Sequence, residues 1–228
     1  MANVVKTFSF LTDGEGFVFT DVSSKGSTGA WQSTGGNPTG CWYINVIGRK
    51  YTHTSYIELT TTWEALGVAA GFKVTQILAN SVDWACDVFN VGDDRGIGAF
   101  EIRDSGGTLQ MTLFAHETGT GTLAWTTKNG TGSIAVPSAI NASDSTINIR
   151  LNTDALCGNN VSAEVNLLID NIVLSIDSEE ILDIPGKINI GDVWKTMPIG
   201  GTKINIGGVW KTVVAIKQNI GDVWKDVL

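Results

Sequence analysis

Four of the five tryptophans in the first 180 residues, Trp31, Trp42, Trp84 and Trp125, are candidates to hold a sugar. The C–H face of a pyranose lies well on an aromatic ring, but the same ring also has much to gain from burial in a core. Trp42 and Trp84 stand inside apolar runs and fit the core role, whereas Trp31 adjoins the polar "STGGNPTG" and fits either. Spacing alone puts no two of them on one surface. Glycosidic hydrolysis would want two carboxylates at a set separation. Glu58, Glu101 and Glu117 lie on or beside candidate strands, with nothing in their spacing to pair them. Asp83 and Asp87 alternate onto one strand face, which reads as a wet face. The two histidines, His53 and His116, sit in no metal-ligand or triad pattern, and no Gly-x-Ser-x-Gly elbow occurs. No catalytic residue is assigned, and a non-enzymatic protein is expected.

The elements that must position these side chains are strands. "VVKTFSFL", "GFVFTDV", "CWYINVIG", "YTHTSYIELT", "FKVTQILANSVDWACDVFNV", "GIGAFEIRD", "LQMTLFAHE", "GTLAWTTK", "STINIRLN" and "VSAEVNLLIDNIVLSI" are rich in β-branched and aromatic residues with period-2 stretches. Gly, Asn, Asp and Ser clusters separate them, and the pattern predicts a two-sheet antiparallel sandwich over residues 1–180. One helical turn is expected at "TTWEALG", with Thr61 and Glu64 as a capping box and Gly67 as its end.

The chain then repeats itself. "KINIGDVWKTM", "KINIGGVWKTV" and "KQNIGDVWKDV" begin at Lys187, Lys203 and Lys217, and their tryptophans are 16 and then 14 residues apart. That period is too short for a helical repeat. Each copy reads as a β-hairpin on a two-residue turn that opens with Gly, the residue that takes positive φ without strain. The turn predicts Ile190 opposite Val193, Asn189 opposite Trp194 and Ile188 opposite Lys195. A lone two-stranded hairpin is marginal in water. Three of them need each other, the preceding domain or copies in other chains, so Trp194, Trp210 and Trp224, with Ile190, Ile206 and Ile220, are expected to form an assembly interface, and a homo-oligomer is expected. The expected organisation is a sandwich over 1–180, a linker over 181–186 and the repeats over 187–228.

Charge divides the chain in the same place. Residues 1–186 hold 9 Lys and Arg against 20 Asp and Glu, while residues 187–228 hold 6 Lys against 3 Asp. An acidic body lacks the clustered cations that phosphate binding needs, so no nucleic-acid partner is expected. No run approaches the apolar length of a membrane helix, and "MANVVKTFSF" shows no leader pattern. Cys41, Cys86 and Cys157 have no metal-ligand spacing and read as free thiols.

Two resemblances sharpen these expectations. "FSFLTDGEGFVFTDV…WQSTGGNPTGCWYINV", closed by "NLLIDNIVLSI", resembles the jelly-roll domains of carbohydrate-binding modules and laminin B-like domains over residues 5–177, departing at Phe17 and Thr39. The resemblance implies a jelly roll, a glycan partner and a structural calcium held by Asp13, Glu15 and Asp170 through hard oxygen ligands. "TWEALGVAAGFKVTQI" and "INIGGVWK" are similar to segments of tailed-bacteriophage virion proteins. That likeness implies a virion component assembled in the bacterial cytoplasm beside other virion proteins. The leading expectation is a tail-fibre or baseplate protein with a cell-surface glycan as receptor. The alternatives are a head decoration protein and the binding module of a glycan-processing system.

Overall fold

The structure is a computed structural model. It describes residues 1–22, 26–37, 39–49, 53–89, 95–115, 117–118, 122–133, 141–155, 162–181, 186–190, 193–197, 203–206, 209–212, 217–220 and 223–226. These divide into two compact units, Met1–Ile181 and Leu182–Leu228. The first unit contains β1 (Ala2–Phe8), β2 (Val18–Asp21), β3 (Thr28–Gln32), β4 (Cys41–Arg49), β5 (His53–Thr62) and β6 (Phe72–Phe89). It continues with β7 (Arg95–Asp104), β8 (Leu109–Phe114), β9 (Glu117–Thr118), β10 (Thr122–Ser133), β11 (Thr146–Ala155) and β12 (Ser162–Glu180). One sheet runs β10-β6-β12-β4-β3 with β1 beside β12, and the other runs β2-β5-β11-β7-β8 with β9 beside β7. Every pairing is antiparallel, and the two sheets form a jelly-roll β-sandwich.

Alternation explains how the sheets meet. Along β11, Ile147, Ile149, Leu151, Thr153 and Ala155 are buried, while Asn148, Arg150, Asn152 and Asp154 take the opposite face. Across the β12 sheet, Trp31 pairs with Trp42, Trp42 with Ile169, and Ile169 with Trp84. This single row points into the sandwich, and Trp42, Ile169 and Trp84 join the core cluster while Trp31 packs against it. Each large apolar side chain so buried contributes about 1.5–3 kcal/mol.

β12 needs one irregularity to serve its length. Its first half pairs with β4 up to Ile169, and its second half pairs with β1 from Ile172 onward. A bulge inserts one residue between these halves, so both Ile169 and Ile172 face the core, and Asn171 takes a φ of 51°.

Two local expectations change. β3, the segment "TGAWQ", was not anticipated, because Gly and Ala have weak strand preference and pairing with β4 supplies the order. At "TTWEALG" the turn is capped by Thr62 rather than Thr61. The Thr62 hydroxyl accepts the Ala65 N–H at 3.1 Å, while Thr61 remains in β5 opposite Ile147. Gly67 ends the turn at φ 106°.

The second unit consists of three two-stranded sheets, each separate from the others. They are β13 (Gly186–Ile190) with β14 (Val193–Met197), β15 (Lys203–Ile206) with β16 (Val209–Thr212), and β17 (Lys217–Ile220) with β18 (Val223–Asp226). The register is the expected one: Ile190 opposite Val193, Asn189 opposite Trp194, Ile188 opposite Lys195. Asn205 with Trp210 and Asn219 with Trp224 repeat it. Gly186 already belongs to β13, and most of the expected linker lies outside the described residues.

Candidate functional site

The outward residues of the β11 sheet form three adjoining rows. In the middle row Glu58, Arg150 and Glu101 stand side by side on β5, β11 and β7. One row over, Tyr56 faces Asn152, and on the other side Thr60, Asn148 and Arg103 align. Neighbouring strands lie about 4.8 Å apart, so charges of alternating sign are held at close range.

Arg150 is fixed from two directions. Its Nε donates to Glu58 Oε2 at 2.6 Å, and its guanidinium lies 3.8 Å from the centre of the Tyr56 ring. Arg103 donates through Nε to Glu101 Oε2 at 2.8 Å, with Nη2 of the same ion pair 2.7 Å from that oxygen, and through Nη1 to the Gly107 carbonyl at 2.7 Å. Asn148 accepts from the Thr60 hydroxyl at 2.8 Å and donates to the Asp104 carbonyl at 3.1 Å. Gly98 lies at the bulge of β7 against β11. A Cβ there would come within 2.7 Å of Asp154 Oδ2 and 3.0 Å of Asn152 Cβ, so the missing side chain lets these two residues lie close on β7.

The rows are rigid and shielded without being closed. The side chains of Glu58, Arg150, Arg103 and Glu101 are 19%, 16%, 22% and 10% exposed. Among the described residues, Arg150 Nη1 and Nη2, Glu58 Oε1, Glu101 Oε1 and the Asn152 amide have no hydrogen-bond partner. Donors therefore alternate with acceptors, held in place by the bonds of their other atoms. A hydroxyl both donates and accepts, so a polyhydroxylated ring is the kind of ligand that can use both neighbours of such a row at once.

The tryptophans take other places. Trp42 and Trp84 are 6% and 3% exposed and offer no face to a ligand. Each large ring gained more from the core than a surface could return. Trp31 is half-buried, with Nε1 donating to the Phe10 carbonyl at 2.7 Å. Trp125 is half-buried outside the core cluster, on a stretch of β10 where the register against β6 shifts. The structure thus brings three of the four together, facing inward, and leaves the fourth outside that row.

The acidic residues expected around calcium also have other tasks. Glu15 Oε1 accepts the Ser9 and Phe10 N–H groups at 2.9 Å each, and Asp13 accepts the Glu15 N–H at 2.8 Å within its own turn. Asp170 is fully buried and accepts the Asn37 and Asn171 N–H groups at 2.7 Å each. Among the described residues no three His, Cys, Asp or Glu side chains are grouped to hold a metal ion. The donor set does not fit calcium, because backbone N–H groups fill the role of the cation. A Cβ at Gly40 would overlap the Phe10 carbonyl, so this junction also depends on that glycine.

Burial is the main force on the Asp170 carboxyl and raises its pKa above 3.8; the two N–H bonds oppose it, and Asp83 and Glu15 add to it. Burial, with Asp170 beside it, pushes the Cys41 thiol up to about 11. Asp83 is not on a wet face. It is buried and accepts the Thr127 hydroxyl at 2.6 Å and the Asn171 amide at 3.1 Å. Cys41 and Cys86 are buried and form no disulfide with each other, and His53 is buried. Cys157 and His116 lie outside the described residues, as do the side chains of Trp194, Trp210, Trp224, Ile190, Ile206 and Ile220.

The class is thus an all-β protein, a two-sheet antiparallel sandwich followed by hairpins. No protein-family model and no curated protein matches the sequence. Among solved structures, the chain is similar to the CBM22-1 xylan-binding domain of Xyn10C from Paenibacillus barcinonensis. That match has 15% identity and a TM-score of 0.42, over 75% of this chain and 92% of that one. It is also similar to the N-terminal cellulose-binding domain of β-1,4-glucanase C from Cellulomonas fimi, with 16% identity and a TM-score of 0.38 over 78% and 97%. The Stig cyclase Fisc from Fischerella sp. TAU, at 16% identity and a TM-score of 0.45 over 76% and 90%, is another. A binding domain and an enzyme stand among them at the same distance.

Proposed function

We propose that this chain is a non-enzymatic binding protein whose sandwich takes a carbohydrate on the outer face of the β11 sheet, and whose hairpins seat it in a larger assembly. The observation that carries the first part is the row Glu58, Arg150, Glu101 with Asn152 and Tyr56 beside it: polar side chains shielded from solvent, the charged ones held by ion pairs, with hydrogen-bonding atoms left over. Groups ordered in advance lose little freedom when a ligand arrives. The same bonds argue against catalysis, because both glutamates are committed to arginines.

The assembly is a tailed-bacteriophage virion, by the likeness of the hairpin repeats, with tail fibre or baseplate as its place and a bacterial surface polysaccharide as the sugar. The test is a glycan array on the full chain, followed by titration calorimetry of any hit. Arg150→Ala is expected to weaken binding by about tenfold or more, since it removes a central charged donor. Silence across bacterial surface polysaccharides, with the chain still found in virions, would move the reading to a head decoration protein. Binding that is indifferent to Arg150→Ala would remove this face from the proposal.

A further inference from the structure

The three hairpins carry an inference that rests on the assembly reading and specifies its partner. Each is a separate two-stranded sheet with the same register: Ile opposite Val next to the turn, then Asn opposite Trp. Among the described residues they do not pair with one another, although they share one chain and are joined by short segments. Five residues separate Met197 from Lys203 and four separate Thr212 from Lys217, so adjacent hairpins stand within about 20 Å of each other. Strands that could complete one another within the chain would meet there at high effective concentration. A lone two-stranded hairpin is marginal in water, so each calls for a surface that completes it.

Repetition constrains what that is. Three near-identical hairpins can make three equivalent contacts only on a partner that itself presents three equivalent sites at the same pitch. The repeats of another copy of this chain do so by construction. A rotation axis along the array brings the first hairpin against the first, the second against the second and the third against the third.

Size points the same way. One hairpin offers 8 to 10 strand residues, well below a stable interface. The six strands together hold 26 residues, within the roughly 20–30 a side of a standard interface.

We propose that the hairpins form one homotypic interface in which corresponding repeats of two or more copies stack layer by layer about a common axis. Sedimentation of the full chain across a range of concentrations tests this, together with exchange between tagged and untagged copies. A mass that is a multiple of 24.2 kDa, and mixed oligomers after exchange, are expected. Trp194→Ala, Trp210→Ala and Trp224→Ala should each raise the self-dissociation constant by a similar factor, about tenfold, and the triple variant should be monomeric with the thermal transition of the sandwich intact. A full chain that stays monomeric at the highest concentration, or copies that never mix, overturns the inference. If that monomer still needs residues 187–228 to enter a larger assembly, only the homotypic partner is lost. If their removal changes neither behaviour, the assembly reading falls with it.

Discussion

The two outer faces of the sandwich are built by the same alternation and use their polar groups in opposite ways. On the β12 sheet, the polar side chains are spent on each other and on the backbone. The Tyr43 hydroxyl and the Asn45 amide, the latter at 3.0 Å, both donate to Asn166 Oδ1. Asp83 takes Thr127 and Asn171, and Asp170 takes two N–H groups. On the β11 sheet, Arg150, Glu58, Glu101 and Asn152 keep atoms in reserve. A buried polar group without partners is expensive, and Asp83, Asn166 and Asp170 are all buried. The other face can leave valences to solvent, and so to a ligand. The difference separates residues that hold the fold from residues free to act.

Substitutions can break that contrast. The largest effect is expected beneath the binding face, at Ile149, which is fully buried on β11 next to Arg150. Ile149→Ala should cost about 2–5 kcal/mol in chemical denaturation. Arg150→Ala, one residue along and on the other side of the strand, should change stability by less than about 1 kcal/mol while its binding loss remains. If the two variants destabilised equally, the outer row would be structural and the contrast would collapse.

Asp170 sharpens the comparison from the other face. Asp170→Ala leaves the Asn37 and Asn171 N–H groups without an acceptor and should cost about 1–3 kcal/mol, with sugar binding unchanged. Its titration gives a sign as well. The folded carboxyl is raised above 3.8, so the folded chain binds this proton more tightly than the unfolded chain does. That contribution to stability is fully present below the unfolded value and is lost as pH rises through the folded one. Melting temperatures of the native chain and Asp170→Asn should therefore diverge as pH climbs from about 4. A difference that stayed constant with pH would contradict the burial argument. The smallest effect concerns Cys41 and Cys86, which should resist thiol reagents at pH 8 until the chain is unfolded, as peptide mapping would read out.

Much of the fold was legible because its causes are local. The alternation in "TINIRLNTDA" names the buried and exposed sides of β11 without help, and Gly in a two-residue turn sets the pairing of Ile190 with Val193. The short β3 and the cap at Thr62 were missed, since each depends on a neighbouring strand or on a single hydroxyl. The candidate site was not legible. Glu58 and Glu101 were visible as carboxylates, but no spacing announced that Arg150, 92 residues from Glu58, stands between them. The tryptophans misled because ring chemistry is the same in a core as on a surface.

The sequence by itself determined that this chain is all-β, which residues alternate within each strand, and how each terminal hairpin closes. Those outcomes follow from interactions a few residues long. The tertiary structure alone decided that three tryptophans share one inward row, that Asp170 serves backbone N–H groups, and that an arginine lies between two glutamates. Each of these depends on strand order and register across the sheets, where the pairing energy of distant segments chooses the neighbours.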